Sequence, residues 1–528
     1  MNSEALAGTG GLIRAALRRD RVRIGVWMAA IIAMVATSAE SVKSLFPTQA
    51  DLDQAAAASS NPAIMAFNGP DIALDTVGGQ IVFQIGAPGL VIVGLMTLLT
   101  VIRLTRGEEE PGRLELVRAL PVGRQAPIVA AGAIGLGMSV VVGGAGALAL
   151  IATGQAASGS VLYGSQLASM AAVFVGVSLV TAQITENARL AGGLAGVTLA
   201  VAFVARAIGD MGDVWLSWLS PIGWAQQTRS FGDERWWPLL LSLGLLICLI
   251  ALAVTLQGRR DLGAGLLAPQ PGPATAGSRL RSALALATRL QRGSVIGWCA
   301  GLAGLGAVYG SIIDAIEDFV NDNPTMADFL TASGGASLAD SYLATSMHFT
   351  ALIGTAAAVQ WTLRLRTEET SMRAEPVLAT AVSRVEWTRS HLIVALVGSV
   401  AAMASAAVGL GGAASIATRD PALLWRVGVA ALVHVPAMWL TVGLTLAFVG
   451  RLPRFATAAW AIVAFGFVIA MFGTVLQLPG WAIDLSPYEH VPLSPAESVS
   501  ATPLAVLLGV TAALVAVGLD GLRRRDIG

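Results

Sequence analysis

RGEEEPGRLELVRALPVGR, residues 106–124, lies over RTEETSMRAEPVLATAVSR, residues 366–384, at an offset of 260 and without a gap. Nine of the nineteen positions are identical: Arg106/Arg366, Glu108/Glu368, Glu109/Glu369, Arg113/Arg373, Glu115/Glu375, Val117/Val377, Ala119/Ala379, Val122/Val382 and Arg124/Arg384. Chance does not give that identity in a charged loop, so the chain reads as a duplication. The ends of the halves agree as well. Arg259-Arg260-Asp261-Leu262-Gly263 closes the first as Arg524-Arg525-Asp526-Ile527-Gly528 closes the second, and Leu219-Ser220-Pro221 matches Leu485-Ser486-Pro487. At the beginnings, Leu12, Ile13, Ala16 and Leu17 oppose Arg14, Arg18 and Arg21 on a helical wheel, while Leu284, Ala287 and Leu290 oppose Arg281, Arg289 and Arg292. Each segment predicts an amphipathic helix lying in the membrane interface ahead of its half, running into Trp27 or Trp298.

Outside these segments the chain is apolar. Of its 528 residues 55% are hydrophobic and only 12% charged, where a soluble domain carries about 25% charged residues. A crossing helix needs ~20 mostly apolar residues that satisfy their own backbone. Twelve such stretches occur, near 24–42, 80–102, 126–152, 161–184, 188–208, 236–256, 294–314, 343–363, 390–416, 423–449, 456–477 and 503–519. No small-residue cleavage site follows the first, which reads as an uncleaved helix. Six spans per half is an even number, so the repeats run parallel about an axis along the membrane normal. The expected fold is an all-α integral membrane protein of twelve transmembrane helices in two parallel, duplicated six-helix halves. The first transmembrane domain is expected over 1–263 and the second over 279–528, joined by a flexible, uncharged linker rich in Pro, Gly and Ala at 264–278.

Lys+Arg and Asp+Glu are both 33, which gives no sign of a nucleic-acid partner. With the N-terminus inside, 27 of the 33 cations fall on the cytoplasmic side; the positive-inside rule then places both termini in the cytoplasm. Catalytic chemistry is missing from the sequence. Lys43, the only lysine, follows Val42, so no Walker motif can form, and HExxH, CxxC and Gly-x-Ser-x-Gly are not found. The chain is expected to be no enzyme and to hold no cofactor or metal of its own. His348 and His434 fall within spans, where hydrogen bonding between helices is their expected role.

The repeated loop carries the informative signal. It is too polar to enter lipid and too regular for a disordered link, and its duplication at fixed spacing suggests two equivalent surfaces docking two equivalent partners. EEEPGRLELVRALPVGR resembles the E-x(2-4)-G-T-L-E-L-L-x-A-x-P-V-S-R stretch of ABC-2 type exporter permeases. That stretch follows the second span of each six-span domain and contains the helix that presses on the nucleotide-binding subunit. The second copy departs from it, with Met372 at the glycine, Pro376 inside the helix and Ala381 at the proline. From end to end, with fused halves, long outer loops after spans one and seven, an Asn68-Gly69-Pro70 turn and the closing RRDLG/RRDIG, the chain is similar to bacterial exporters of polyketide antibiotics of the tetronasin type.

The resemblance implies a permease subunit in the plasma membrane, surrounded by lipid and working with two copies of an ABC ATPase subunit. ATP and Mg belong to those partners, and the cargo is a hydrophobic or amphipathic small molecule. ATPase coupling is expected of Arg106, Glu108, Glu109, Arg113 and Glu115, with their counterparts Arg366, Glu368, Glu369, Arg373 and Glu375. The second and fifth spans of each half are implied to line the substrate route, offering Phe83, Gln84, Met96, Phe203, Met347, His348, Phe349, Phe465, Phe467, Met471 and Phe472. Such Met and aromatic surfaces repack around many apolar ligands. Short re-entrant helices are expected within 209–235 and 478–502. A proton-coupled multidrug antiporter is the alternative for twelve spans in two parallel halves. It calls for acids near mid-membrane, whereas Asp314, Glu317 and Asp318 stand at the outer end of span seven and Glu186 in a turn between spans four and five.

Overall fold

The structure, a computed structural model, describes residues 3–59, 65, 68–119, 121–211, 214–261, 263–267, 275, 277, 280–313, 338–472 and 479–525. The expected Asp314, Glu317 and Asp318 lie outside them. Among the described residues there are helices and no strands, and twelve helices are long and apolar enough to cross a membrane. The protein is an all-α, multi-pass membrane protein, as its hydropathy requires: a backbone in hydrocarbon must pair its own N–H and C=O groups.

Two compact units divide the chain, Met1–Pro271 and Gly272–Gly528. The first contains spans one to six: Thr9–Leu45, Val77–Leu104, Ala126–Ala152, Ala157–Ile184, Ala188–Met211 and Pro238–Gly258. The second contains span seven, Ala283–Ser311, span eight, Leu338–Thr370, and span nine, Arg384–Thr418. Span ten is split at His434 into Ala422–Val433 and Val435–Arg451, because Pro436 opens the second piece and cannot donate to the first. Spans eleven and twelve are Ala459–Phe472 and Ala501–Arg524.

One expectation is corrected. The amphipathic segments ahead of spans one and seven are not separate interfacial helices, since Thr9–Leu45 and Ala283–Ser311 run through them without a break. Each is held against its own unit by a buried polar residue. Asp20 lies 2.8 Å from Arg103 of span two, and Gln291 lies 3.2 Å from the His391 ring of span nine. These tertiary contacts continue the span where the helical wheel alone suggested an element lying on the leaflet.

Lipid tails are as apolar as the spans they surround, so packing relies on close backbone approach at small residues. Spans three and four cross where a Cβ on Gly143 would stand 2.4 Å from the Gly164 carbonyl oxygen, and one on Gly164 would stand 2.3 Å from the Gly143 oxygen. Spans ten and twelve meet in the same way at Gly450 and Gly518. Gly164→Leu is therefore expected to part spans three and four and to cost about 1–3 kcal/mol. A lowered melting temperature of the detergent-solubilised protein would record it, and an unchanged one would refute the tight crossing.

Candidate functional site

The charged loop of the first unit begins as a continuation of span two. Arg106–Glu109 forms a helical turn, Gly112 reverses the chain at φ +74°, and a second helix runs over Arg113–Arg118. In the second unit Met372 holds the equivalent position at φ +59°, followed by the helix Ala374–Leu378. A methionine in the left-handed region is uncommon, so the turn is imposed by its surroundings there and not by glycine's freedom.

Arg106 is fully buried. Its guanidinium donates to the Ala182 carbonyl of span four and, at 2.9 Å, to that of Ala264, and it lies 3.3 Å from Glu109. Glu109 receives both terminal nitrogens of Arg260, at 2.6 and 3.0 Å, and the Gly263 amide at 2.8 Å. Arg260 also donates to Gln183 at 2.7 Å. The Glu109 and Arg260 side chains are only 5% and 9% exposed, so the pair is a buried, bidentate one of the strong kind. Glu110 accepts the Ala188 amide at 3.0 Å and Asn187 Nδ2 at 3.3 Å. It thereby caps the first turn of span five, where the helix dipole favours a carboxylate. Glu108 meets Arg19 of span one at 2.9 Å and Arg113 at 3.7 Å. A few consecutive residues thus fasten spans one, two, four, five and the end of six.

The second unit repeats part of this circuit. Glu369 pairs with Arg525 and, at 2.9 Å, with Arg366. Arg384 donates to the Arg525 carbonyl at 2.7 Å, as Arg124 does to the Arg260 carbonyl at 3.2 Å. Glu368 lies 2.5 Å from Arg364 and 4.0 Å from Arg373. Thr370 stands where the first half has Glu110, and its hydroxyl turns back to the Arg366 carbonyl of its own helix at 2.9 Å.

The residues expected to couple to a partner therefore divide. Arg106, Glu109 and Glu369 are internal fasteners, while Arg113 is 66% exposed and Glu115, Arg373 and Glu375 also face solvent. Arg260 and Arg525 were missed as site residues. Their signal was visible, because both belong to the Arg-Arg-Asp stretch that ends each half.

The opposite end of the first unit is closed by the short helices Val214–Ser217 and Pro221–Gln226. Ser220 accepts the Ile222 amide at 3.2 Å and donates to the Ala202 carbonyl of span five at 2.6 Å, which seats the second helix among the spans. In the second unit Gly480–Ile483 and the 3-10 turn Pro487–His490 occupy the corresponding segment, with Tyr488 buried.

The residues expected along the route are placed unevenly. Met96 and Met347 are fully buried in the packing of their own units. Phe83 is buried beside the Asn68-Gly69-Pro70 turn, exposed Gln84 accepts from Ser38 at 2.6 Å, and the Phe203 ring lies 4.6 Å beneath the Arg206 guanidinium. Phe465 and Phe467 are half-buried, and the side chains of Met471 and Phe472 fall outside the described residues. Of the described side chains in the set, His348 and Phe349 share one sizeable cavity, and the ring of His434 lies 5.7 Å from that of His348.

Twelve spans in two units, each with a charged loop locked onto the ends of its own spans, define a polytopic membrane protein. The family described as "Multidrug efflux system permease Rv1217c, C-terminal domain" matches residues 9–256 and 280–523, and the chain belongs to that family. The multidrug efflux system permease protein Rv1217c of Mycobacterium tuberculosis (strain ATCC 25618 / H37Rv) is 40% identical over 525 residues, which cover 98% of this chain and 95% of that protein.

Proposed function

We propose that this chain is the permease subunit of an ABC exporter, moving hydrophobic or amphipathic compounds out of the cell. In this reading two copies of a separate ATPase subunit bind ATP and Mg, and both termini are cytoplasmic. The carrying observation is the buried Glu109–Arg260 pair. It fastens the base of the loop, so that force applied at exposed Arg113 and Glu115, just beyond the Gly112 turn, is passed to five spans. A partner that closes on ATP needs such a transmission element.

The efflux function is supported by the relative's name, and the duplication by one family description covering both halves. Two loops at equivalent places support two ATPase copies. The second loop, which lacks the Glu110 cap, is the weaker coupler. An ion-driven carrier calls for uncompensated carboxylates near mid-membrane, whereas Asp20, Asp210, Asp340 and Asp520 each pair with an arginine. Ethidium efflux from cells is expected to require a co-expressed ATPase, to stop with orthovanadate and to persist when a protonophore collapses the proton gradient. Efflux that stops with the protonophore and proceeds without the ATPase would sink the proposal.

A further inference from the structure

At the end of the second unit remote from its charged loop, span eight and the segment after Gly480 enclose a cavity of about 410 Å³. That lies within the ~300–1,000 Å³ of small-molecule sites. His348, Phe349 and Tyr488 form its aromatic wall, and Glu489 and Glu497 stand in its lining with no arginine or lysine among the described residues. His348 is 9% exposed, and its buried Nδ1 has no hydrogen-bond partner. Its ring makes edge contacts with Tyr488, Phe349 and His434 at 5.8, 6.3 and 5.7 Å. The Tyr488 hydroxyl, by contrast, is satisfied by Thr355; the His434 Nδ1 faces the Ala430 carbonyl at 2.9 Å, and its buried Nε2 has no hydrogen-bond partner either. A buried polar atom is costly to leave unpaired, and the ring that carries it lines the cavity.

The chemistry of the lining is one-sided. Aromatic faces attract cations as well as apolar bodies, and among the described residues the formal charges that line the cavity are carboxylates. Glu497 has one oxygen engaged by the Leu493 amide at 3.0 Å. The first half does not repeat these residues. At the offset of the repeated loop His348 corresponds to Pro88, and at the offset of the Leu-Ser-Pro stretch Tyr488 and Glu489 correspond to Ile222 and Gly223. The polar set therefore belongs to the second half alone.

We propose that this cavity binds amphipathic aromatic monocations, with the rings taking the apolar body and Glu489 and Glu497 taking the charge. The proposal rests on the exporter reading, for which it names a substrate class and a site. It is tested by binding to the full chain in lipid nanodiscs, which needs no ATPase. Failure of the site is thus distinguishable from failure of the ATP-driven mechanism, which the efflux assay reads separately. Tetraphenylphosphonium binding, measured by equilibrium dialysis against empty nanodiscs, is expected to weaken about tenfold in the Glu489→Gln/Glu497→Gln double variant. Glutamine keeps the acceptor oxygen toward the Leu493 amide, and both positions are exposed, so folding is preserved. The neutral probe N-phenyl-1-naphthylamine is expected to bind that variant as it binds the unaltered chain. Thr345→Trp, which fills the cavity from an exposed position on span eight, is expected to abolish binding of both probes. Three results would each overturn the proposal: no tetraphenylphosphonium bound above empty nanodiscs, equal binding with and without the carboxylates, or Thr345→Trp leaving both probes bound.

Discussion

Glu109→Ala is expected to lower the stability of the first unit by about 3–5 kcal/mol, the cost of breaking a buried ion pair from one side. The size follows from what remains. Arg106, fully buried, and Arg260, 9% exposed, would both keep their charge and lose the carboxylate they share. The Gly263 amide would lose its acceptor as well. Glu369→Ala is expected to cost less, about 1–3 kcal/mol, since its partners Arg366 and Arg525 are 33% and 18% exposed and water can reach them. Thermal unfolding of the purified variants in one detergent checks the order. Equal losses at the two positions would show that burial of the partners does not set the cost.

Reversal of the exposed charges, Arg113→Glu together with Glu115→Arg, is expected to have the opposite profile. Neither side chain is buried, so yield and melting temperature should stay within the small range of surface changes. If the loop meets an ATPase, like charges then face each other across the interface at a cost of several kcal/mol, and affinity for that subunit should fall about tenfold or more. Pull-down of the ATPase and drug efflux would fall together. The matching reversal in the second half, Arg373→Glu with Glu375→Arg, should lower both by less, as that loop lacks the carboxylate cap on the next spans. Normal co-purification and normal efflux in the first reversal would remove the loop from the docking role.

Much of the architecture was legible because the property that writes it is local. A run of apolar residues in lipid must close its own hydrogen bonds, and the described residues of the twelve runs do so in helices, span ten in two pieces. The twin loops were legible as well, since Arg106–Arg124 and Arg366–Arg384 can be compared position by position. The unbroken helices Thr9–Leu45 and Ala283–Ser311 were not. The arginine-rich wheel of each start suggested a helix lying on the membrane, and only Asp20 on Arg103 and Gln291 on His391 show what holds it in line with the span.

The site shows the same division. Amino-acid order by itself determined that this is a twelve-span membrane protein, that its two loops share their charges and that its halves end in the same Arg-Arg-Asp stretch. Tertiary structure alone decided that Glu109 is closed by Arg260, 151 residues away, and Glu369 by Arg525, 156 residues away. It also decided that Arg113 and Glu115 are left facing outward, and that His348 and Glu497 share one cavity. The physical reason is that helix formation in lipid is settled within each segment, whereas the solvation of a charge depends on whatever distant part of the chain covers it. The equivalent glutamates of the two loops, Glu109 and Glu369, therefore become a clasp with buried arginines and one with partly exposed arginines only once the last residues of each unit have packed against them.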